Sequence, residues 1–181
     1  MPPALIVIDV QYAIDDPSWG NDRNNPDCEA KIARLLAFWR ERDWPRFLIK
    51  HVSRDPRSTY RDSEFKSEVA ARDGDRVIEK STNSAFIGTT LETELRAANA
   101  TVVVISGVIT NNSVEATARM SGNLDFATIV VSDATATFGR RDYNGVWRTA
   151  EEVHAMSLAN LEGEYARILT TDEAITSLGL S

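Results

Sequence analysis

The sequence predicts an α/β fold, a three-layer αβα sandwich built around a mostly parallel central sheet. Two observations support this prediction. Short apolar runs rich in β-branched residues recur along the chain, and segments with helical spacing of their apolar residues lie between them. Because strands that alternate with helices are joined by right-handed crossovers, the helices are expected to cover both faces of a parallel sheet.

Six segments are predicted as strands. The first, with the sequence ALIVIDV, is apolar along almost its whole length, which is typical of a strand that is buried on both faces. The predicted strands are Ala4–Val10, Arg46–Val52, Arg76–Glu79, Thr101–Ser106, Ala127–Val131 and Tyr165–Leu169.

The first predicted helix begins at Asn25-Pro26, where a capping residue is followed by a proline at the first helical position. It is expected to end before Pro45. The residues that predict its buried face recur at intervals of three and four: Ile32, Leu35, Leu36 and Trp39.

Four more helices are predicted from capping patterns and small-residue faces. Three of them carry a Thr-x-x-Glu capping box, in which the threonine and glutamate side chains bind each other's backbone N–H groups. The small residues Ala116, Thr117, Ala118 and Ser121 predict a helix over Val114–Leu124 that packs closely on the sheet. The capping boxes are Thr89…Glu92, followed by Leu91 and Leu95; Thr149…Glu152, followed by Val153, Met156 and Leu161; and Thr170…Glu173.

Composition limits the classes of protein to which the chain can belong. A chain of 181 residues with 43% hydrophobic residues is the size of a single domain, predicted over residues 1–181. Its formal charge of −7 argues against nucleic acid as a partner. No apolar stretch approaches the ~20 residues that span a bilayer, and the start of the sequence lacks a basic leader, so we expect a cytoplasmic protein without a membrane partner.

Neither a metal nor an organic cofactor is expected. The one cysteine, Cys28, excludes an internal disulfide and a cysteine cluster, and we interpret it as a packing residue. The two histidines, His51 and His154, are far apart in the sequence, whereas zinc sites need three or four ligands. The sequence also has no dinucleotide fingerprint and no phosphate-binding glycine loop.

Polar residues at the carboxyl ends of the predicted strands indicate where chemistry takes place, because ligands of parallel sheets bind there. Asp9 ends the first strand, Lys80 follows the third, and Gly107–Ser113 joins the fourth to the small-residue helix. A glycine turn that leads into a helix presents backbone N–H groups to an anion. Each position also has a purely structural alternative: a loop cap, a solvated lysine and a helix N-cap.

Three segments resemble, in order and spacing, the catalytic blocks of the isochorismatase-like hydrolases, also called cysteine hydrolases. That superfamily includes nicotinamidases, N-carbamoylsarcosine amidases and isochorismatases. The segments are LIVIDVQ, VIEKSTNSAF and VISGVITNNSVEATAR, and the later SDATATF and EEVHAMSLANLEGEYARILTTDE also resemble their counterparts. The resemblance covers essentially the whole chain and implies a Rossmann-like fold, which agrees with the pattern of strands and helices.

The resemblance implies roles for individual residues. Asp9 matches the aspartate that handles the protons of the nucleophile and the leaving group, and Lys80 matches the lysine that orients it. A cis peptide is implied between Val108 and Ile109, with the N–H groups of Ile109 and Ser113 forming the oxyanion hole. Further pocket positions implied by the blocks are Gln11, Asn83, Phe86 and Asn112.

Ser113 departs from the family pattern, because the amidase members have a nucleophilic cysteine there. An aspartate of pKa ~3.9 that takes a proton from a thiol of pKa ~8.5 already faces about 6 kcal/mol, and a serine hydroxyl is a far weaker acid. A serine nucleophile normally has a histidine base, and neither histidine belongs to the three blocks.

Three hypotheses account for the serine. In the first, the natural enzyme is a cysteine amidohydrolase and Ser113 is an engineered replacement. In the second, serine is natural and Asp9 protonates a vinyl ether without a covalent intermediate, as in the isochorismatase members. In the third, the chain is a catalytically silent relative. Asn112 complicates the first hypothesis, because close relatives are expected to have histidine beside the cysteine. A flavodoxin-like module shares the strand–helix alternation but does not explain Asp9, Lys80 and the 107–113 loop together.

The substrate is inferred only as a chemical class, and the assembly only as a dimer or a tetramer. The Lys50-His51 sequence lacks the Asp-and-His metal motif of nicotinamidases, so a small amide, ureide or carbamoyl compound is the expected substrate.

Three long polar loops are predicted as lids or interfaces. The resemblance implies a homodimer or homotetramer, in which Trp19, Tyr143 and Trp147 cover a neighbouring active site. The loops are Gln11–Asn24, Ser53–Asp75 and Phe138–Arg148. In the second loop, Arg54, Arg57 and Arg61 either hold an anion or are simply solvated.

Overall fold

The computed structural model describes residues 1–179 and confirms the α/β class. Six parallel strands form one sheet in the order β3-β2-β1-β4-β5-β8, and helices cover both of its faces. The strands are β1 (Ala4–Ile8), β2 (Arg46–His51), β3 (Arg76–Lys80), β4 (Val102–Val108), β5 (Ala127–Ala136) and β8 (Arg167–Leu169).

Five α-helices connect or follow these strands. They are α1 (Cys28–Glu41), α2 (Leu91–Ala97), α3 (Glu115–Asn123), α4 (Ala150–Ala159) and α5 (Thr171–Gly179). A π-helical turn, Thr110–Val114, precedes α3, and short 3₁₀ turns lie at Tyr12–Asp15, Pro17–Trp19 and Ser67–Val69.

The alternation of side chains along the strands produces two hydrophobic cores, one on each face of the sheet. On β1, Leu5 and Val7 face α1, whose fully buried Leu35 and Trp39 belong to the same core. Residues such as Ile6 lie in the opposite core, which includes side chains from α2, α3 and α4. Burial on both faces explains why the strand sequences are apolar without alternation.

All six predicted strands and five predicted helices are present, but several boundaries differ. β4 and β5 extend to Val108 and Ala136, beyond the predicted ends at Ser106 and Val131. A short hairpin of β6 (Arg140–Arg141) and β7 (Trp147–Arg148) occupies the predicted loop. Polar residues interrupt the apolar pattern in all of these places. The pattern therefore did not predict the longer ends of β4 and β5 or the hairpin.

Two of the three predicted capping boxes form. The Thr149 hydroxyl and the Glu152 carboxylate bind each other's backbone N–H groups, and Thr170 and Glu173 do the same. The prediction for Thr89…Glu92 was wrong, because α2 has Thr90 at its N-cap and the Thr89 hydroxyl donates to the carbonyl oxygen of Ala85. The buried residues of α4 also differ from those expected, since Met156 is 63% exposed.

Candidate active site

Asp9, His51 and Lys80 lie at the carboxyl ends of β1, β2 and β3, which are neighbours in the sheet. His51 and Lys80 are directly paired in the parallel register of β2 and β3, and Asp9 follows the last residue of β1. Asp9 has a φ of 55°, a left-handed conformation that aspartate tolerates better than most residues. The strand ends therefore bring a carboxylate, an imidazole and an ammonium group to one edge of the sheet.

The Lys80 ammonium group is the centre of this cluster. Its Nζ lies 2.7 Å from Asp9 Oδ2, 2.9 Å from the Thr82 carbonyl oxygen and 3.2 Å from Ser113 Oγ, and all three are hydrogen-bond distances. His51 Nδ1 lies 3.3 Å from the same nitrogen. The Lys80 side chain is fully buried, so these contacts replace its hydration and fix its position.

Asp9 is buried, and burial raises the pKa of its carboxyl to about 6, although the charge and hydrogen bond of Lys80 act in the opposite direction. Burial likewise lowers the pKa of Lys80, and the Asp9 carboxylate opposes that change. Asp9 Oδ1 is buried and has no hydrogen-bond partner among the described residues. One oxygen of the carboxylate is thus bound to Lys80, whereas the other is shielded from solvent and unpaired, and the Ser113 hydroxyl is close enough to Asp9 to lower its pKa through a hydrogen bond.

Ser113 reaches this cluster through the π-helical turn 110–114, which follows β4. The Val108–Ile109 peptide bond at the end of β4 is cis. Gly107 has a φ of 122°, and a Cβ atom there would lie 2.5 Å from the Ile8 backbone nitrogen. Only glycine permits this close approach of β4 to β1, which brings the Ser113 loop beside Asp9.

A cavity of about 390 Å³ opens above the cluster. Asp9, Ser113 and His51 line it together with Trp19, and Trp19 stacks on Phe138 behind it at a centroid distance of 5.6 Å. The other residues around the cavity are Ser18, Arg57, Ser58, Thr59, Tyr60, Asn83, Ile109 and Asn112. A cavity of this size, with a few converging polar groups, suits a small molecule.

The structure places three of the five expected pocket residues at the cavity: Ile109, Asn83 and Asn112. Gln11 is buried below it, where its amide binds the backbone of His51 and of Ser63. Phe86 stacks on Phe126 at 6.2 Å and packs on the opposite core. The expectation that Gln11 and Phe86 line the pocket is therefore corrected.

Residues of the predicted loops lie both at the cavity and away from it. Trp19 is part of the wall of its own cavity. Arg57 lies at the cavity and forms an exposed ion pair with Asp55, whereas Arg61 pairs with the exposed Asp62 away from it.

His51 is the site residue that the sequence analysis missed. It was considered only as a metal ligand or as the base of a serine nucleophile, although it ends a buried strand next to the strand of Asp9. The rule that identified Asp9 and Lys80, a polar residue at the carboxyl end of an apolar strand, also applies to His51. His154, by contrast, contacts the Thr110 hydroxyl from α4 and does not line the cavity.

Two features are absent from residues 1–179. These residues contain no group of three or more histidine, cysteine, aspartate or glutamate side chains arranged to hold a metal ion. None of the helices in this range is long and apolar enough to cross a bilayer.

Comparison with known proteins gives a consistent result. The family description "Isochorismatase domain" matches residues 3–173. The isochorismatase family protein YrdC of Bacillus subtilis is 46% identical over 176 residues, which are 95% of this chain and 94% of that protein. Ureidoacrylate amidohydrolase RutB of Methylobacterium radiotolerans is 28% identical, with 87% of this chain and 72% of that protein covered.

A solved structure agrees with the sequence matches. A hydrolase of the isochorismatase family from Chromobacterium violaceum has a TM-score of 0.96 and 50% sequence identity to this chain, and the match covers 99% of this chain and 95% of that one. A family match over nearly the whole sequence, with relatives of this identity, is sufficient for assignment. The chain belongs to the isochorismatase family and is a hydrolase.

Proposed function

We propose that the protein hydrolyses the C–N bond of a small amide, ureide or carbamoyl compound, and that residues 1–181 form one hydrolase domain. The observation that carries this proposal is the Lys80 ammonium group, which binds both the Asp9 carboxylate and the Ser113 hydroxyl on the floor of a small cavity. The named activity of one relative, ureidoacrylate amidohydrolase, supports the same class of reaction.

In the proposed mechanism, Ser113 Oγ attacks the substrate carbonyl carbon while Asp9 takes the hydroxyl proton. The raised pKa of Asp9 makes it a stronger base than an ordinary aspartate, which reduces the unfavourable difference in proton affinity. When the C–N bond breaks, Asp9 gives the proton to the departing nitrogen, and the acyl group remains as an ester on Ser113.

The second half of the reaction uses water. Asp9 takes a proton from a water molecule that attacks the ester carbonyl, the C–O bond to Ser113 breaks, and the proton returns to Oγ. In both halves negative charge develops on the carbonyl oxygen. We assign its stabilisation to the N–H groups of Ile109 and Ser113, with Asn83 and Asn112 as polar contacts around the cavity.

A second function is favoured by one observation, the serine at the nucleophile position. In this alternative Asp9 acts as a general acid that protonates a vinyl ether carbon, and water adds to the resulting cation and gives a proton back to Asp9. The hemiketal then collapses, the ether C–O bond breaks as the hemiketal hydroxyl proton passes to the leaving oxygen, and Ser113 forms no covalent bond. A carboxyl with a pKa of about 6 remains partly protonated near neutral pH, as such an acid must.

The test compares the protein with its Ser113→Cys and Ser113→Ala variants on a panel of primary amides and ureides, with ammonia release and intact mass as readouts. We expect Ser113→Cys to be faster and to carry a mass adduct, and Ser113→Ala to be inactive. Ser67→Cys is the matched control, because Ser67 is exposed and remote from the cavity. Burial raises the pKa of Cys28 to about 12, so that thiol is not expected to contribute.

The remaining outcomes are decisive. If the wild type is active on amides and Ser113→Ala matches it, catalysis is not covalent. If it cleaves only a vinyl ether, the general-acid alternative is correct. If neither the wild type nor Ser113→Cys turns over any compound of either class, the chain is catalytically silent.

We also propose that the chain forms a homodimer or homotetramer. Large apolar side chains are exposed on the hairpin and on α4, where Tyr143 is 96%, Trp147 50% and Met156 63% exposed. Exposed apolar surface of this kind marks association sites. Light scattering at micromolar concentration should give a mass of two or four chains, and a monomer mass contradicts the proposal.

A further inference from the structure

His51 is held by neighbours on three sides. Its backbone N–H donates to Gln11 Oε1 at 2.7 Å, and its carbonyl oxygen accepts from Gln11 Nε2 at 3.1 Å. Its ring meets Tyr60 edge to face at a centroid distance of 5.0 Å. With Nδ1 lying 3.3 Å from Lys80 Nζ, both the backbone and the ring are fixed.

Lys80 determines which ring nitrogen carries the proton. An ammonium group only donates hydrogen bonds, so Nδ1 must present its lone pair to it. Burial and the Lys80 charge lower the pKa of His51 to about 4, and the imidazole is therefore neutral near pH 7. A neutral ring with an unprotonated Nδ1 carries its proton on Nε2.

The Nε2–H edge of the ring is not used by the mechanism above. His51 lines the same cavity as Asp9 and Ser113, and Nε2 has no hydrogen-bond partner among the described residues. Nε2 is also not among the buried side-chain atoms that lack a partner, so it is not sealed from solvent, and the residue that carries it lines the cavity. A fixed donor in this position suits an acceptor oxygen of a bound molecule.

We propose that His51 is a specificity-determining residue, whose Nε2–H donates a hydrogen bond to a carbonyl or carboxylate oxygen of the substrate other than the one attacked by Ser113. The inference rests on the proposed function for the identity of the reaction. It adds that the preferred amide or ureide carries a second acceptor oxygen. The hydrogen bond belongs to substrate binding, so its loss raises KM more than it lowers kcat.

Two variants separate the two ring nitrogens. In His51→Gln the side-chain amide nitrogen replaces Nε2 as a donor, whereas in His51→Asn the amide lies near Nδ1 and only the contact to Lys80 is kept. On the best-hydrolysed amide of a panel containing succinamide and succinamate, we expect a KM about tenfold higher for His51→Asn and nearly unchanged for His51→Gln. An unchanged KM in His51→Asn, or the opposite order of the two variants, overturns the proposal.

A measurement without turnover tests the same point. In protein labelled with ¹⁵N-histidine, the His51 signal is the one that His51→Gln removes. Between pH 6 and 8 we expect a neutral ring with its proton on Nε2, and a change in the Nε2 shift on saturation with succinamide. A proton on Nδ1, or no change at saturation, overturns the inference. If both signals behave as expected while no amide is hydrolysed, the proposed function fails and the role of His51 in binding stands.

Discussion

Asp9 and Lys80 are 71 residues apart in the chain and lie on strands separated by β2, yet Lys80 Nζ is 2.7 Å from Asp9 Oδ2. Both side chains are almost completely removed from solvent. An ion pair in such a place costs desolvation energy, so its presence is better explained by chemistry than by stability. The charge state of this pair therefore determines how activity and stability depend on pH.

The direction of the pH dependence distinguishes the two candidate functions. If Asp9 is the base of an amidohydrolase, kcat/KM for a neutral amide rises as the pH increases through about 6, because the carboxylate form is required. If Asp9 is the general acid of a vinyl ether hydrolase, kcat/KM rises as the pH falls through the same value. Initial rates between pH 4.5 and 8, on substrates that do not titrate in this range, check the sign, and a flat profile contradicts both roles.

Removal of the Lys80 charge should raise the pKa of Asp9 above 6, since Lys80 lowers it at present. In Lys80→Met we expect the midpoint of any remaining activity to move to higher pH. Because the folded-state pKa of Asp9 exceeds its unfolded value, its contribution to stability is present at low pH and is lost as the pH rises through the folded pKa. Lys80→Met should therefore be about 3–5 kcal/mol less stable than wild type at pH 8, with a smaller difference at pH 5.

Urea unfolding at the two pH values measures this difference. Lys50→Met is the control, because Lys50 pairs with the largely exposed Glu64 and should cost less than about 1 kcal/mol at either pH. Equal losses for Lys80→Met at pH 5 and pH 8 would contradict the assigned pKa direction.

Gly107→Ala should be severely destabilising or insoluble. The new Cβ atom would clash with the backbone of Ile8, and the φ of 122° is unfavourable for alanine. We expect a loss of more than about 3 kcal/mol, measured by thermal unfolding. Gly145→Ala is the matched control: it has a positive φ of 80° but nothing near the new atom, so only the backbone cost of about 1–2 kcal/mol applies.

Thr149→Ala should cost about 1 kcal/mol, because it breaks a complete capping box at the start of α4. Thr90→Ala is the comparison, since Thr90 is the N-cap of α2 but its side chain makes no capping hydrogen bond. Denaturant unfolding of both variants tests whether the capping geometry, and not the threonine itself, provides the stability. Similar losses in the two variants would contradict that account.

The fold could be predicted well because buried parallel strands produce continuous apolar runs. Ala4–Ile8 and the helix containing Leu35 and Trp39 are examples in which hydrophobic pattern and burial coincide. Strand ends were harder, since β5 continues through Ser132 and Asp133, whose polarity is typical of a loop. Local pattern reports burial, and these two half-exposed residues interrupt the pattern before the buried end of the strand at Ala134–Ala136.

The site could be predicted in part. Asp9, Lys80 and Ser113 were named from their positions after apolar strands, and the structure brings them together. His51 carries the same signal, a polar residue at the end of an apolar strand, but only the structure shows its register with Lys80 in the next strand. The resemblance implies a pocket position for Gln11, but a matching block does not show to which side of the sheet edge a side chain points, and the Gln11 amide binds the backbone of His51 and Ser63 instead.

The floor and the walls of the cavity come from different parts of the chain. Strand ends supply Asp9 and His51, whereas the 3₁₀ turn at 17–19 and the long loop after β2 supply Trp19 and Tyr60. Loops tolerate insertion and exchange far better than buried strands do. Substrate range can therefore diversify by mutation of the walls while the floor is kept unchanged, so a directed-evolution library confined to these loops should yield new specificities on the same proposed catalytic residues.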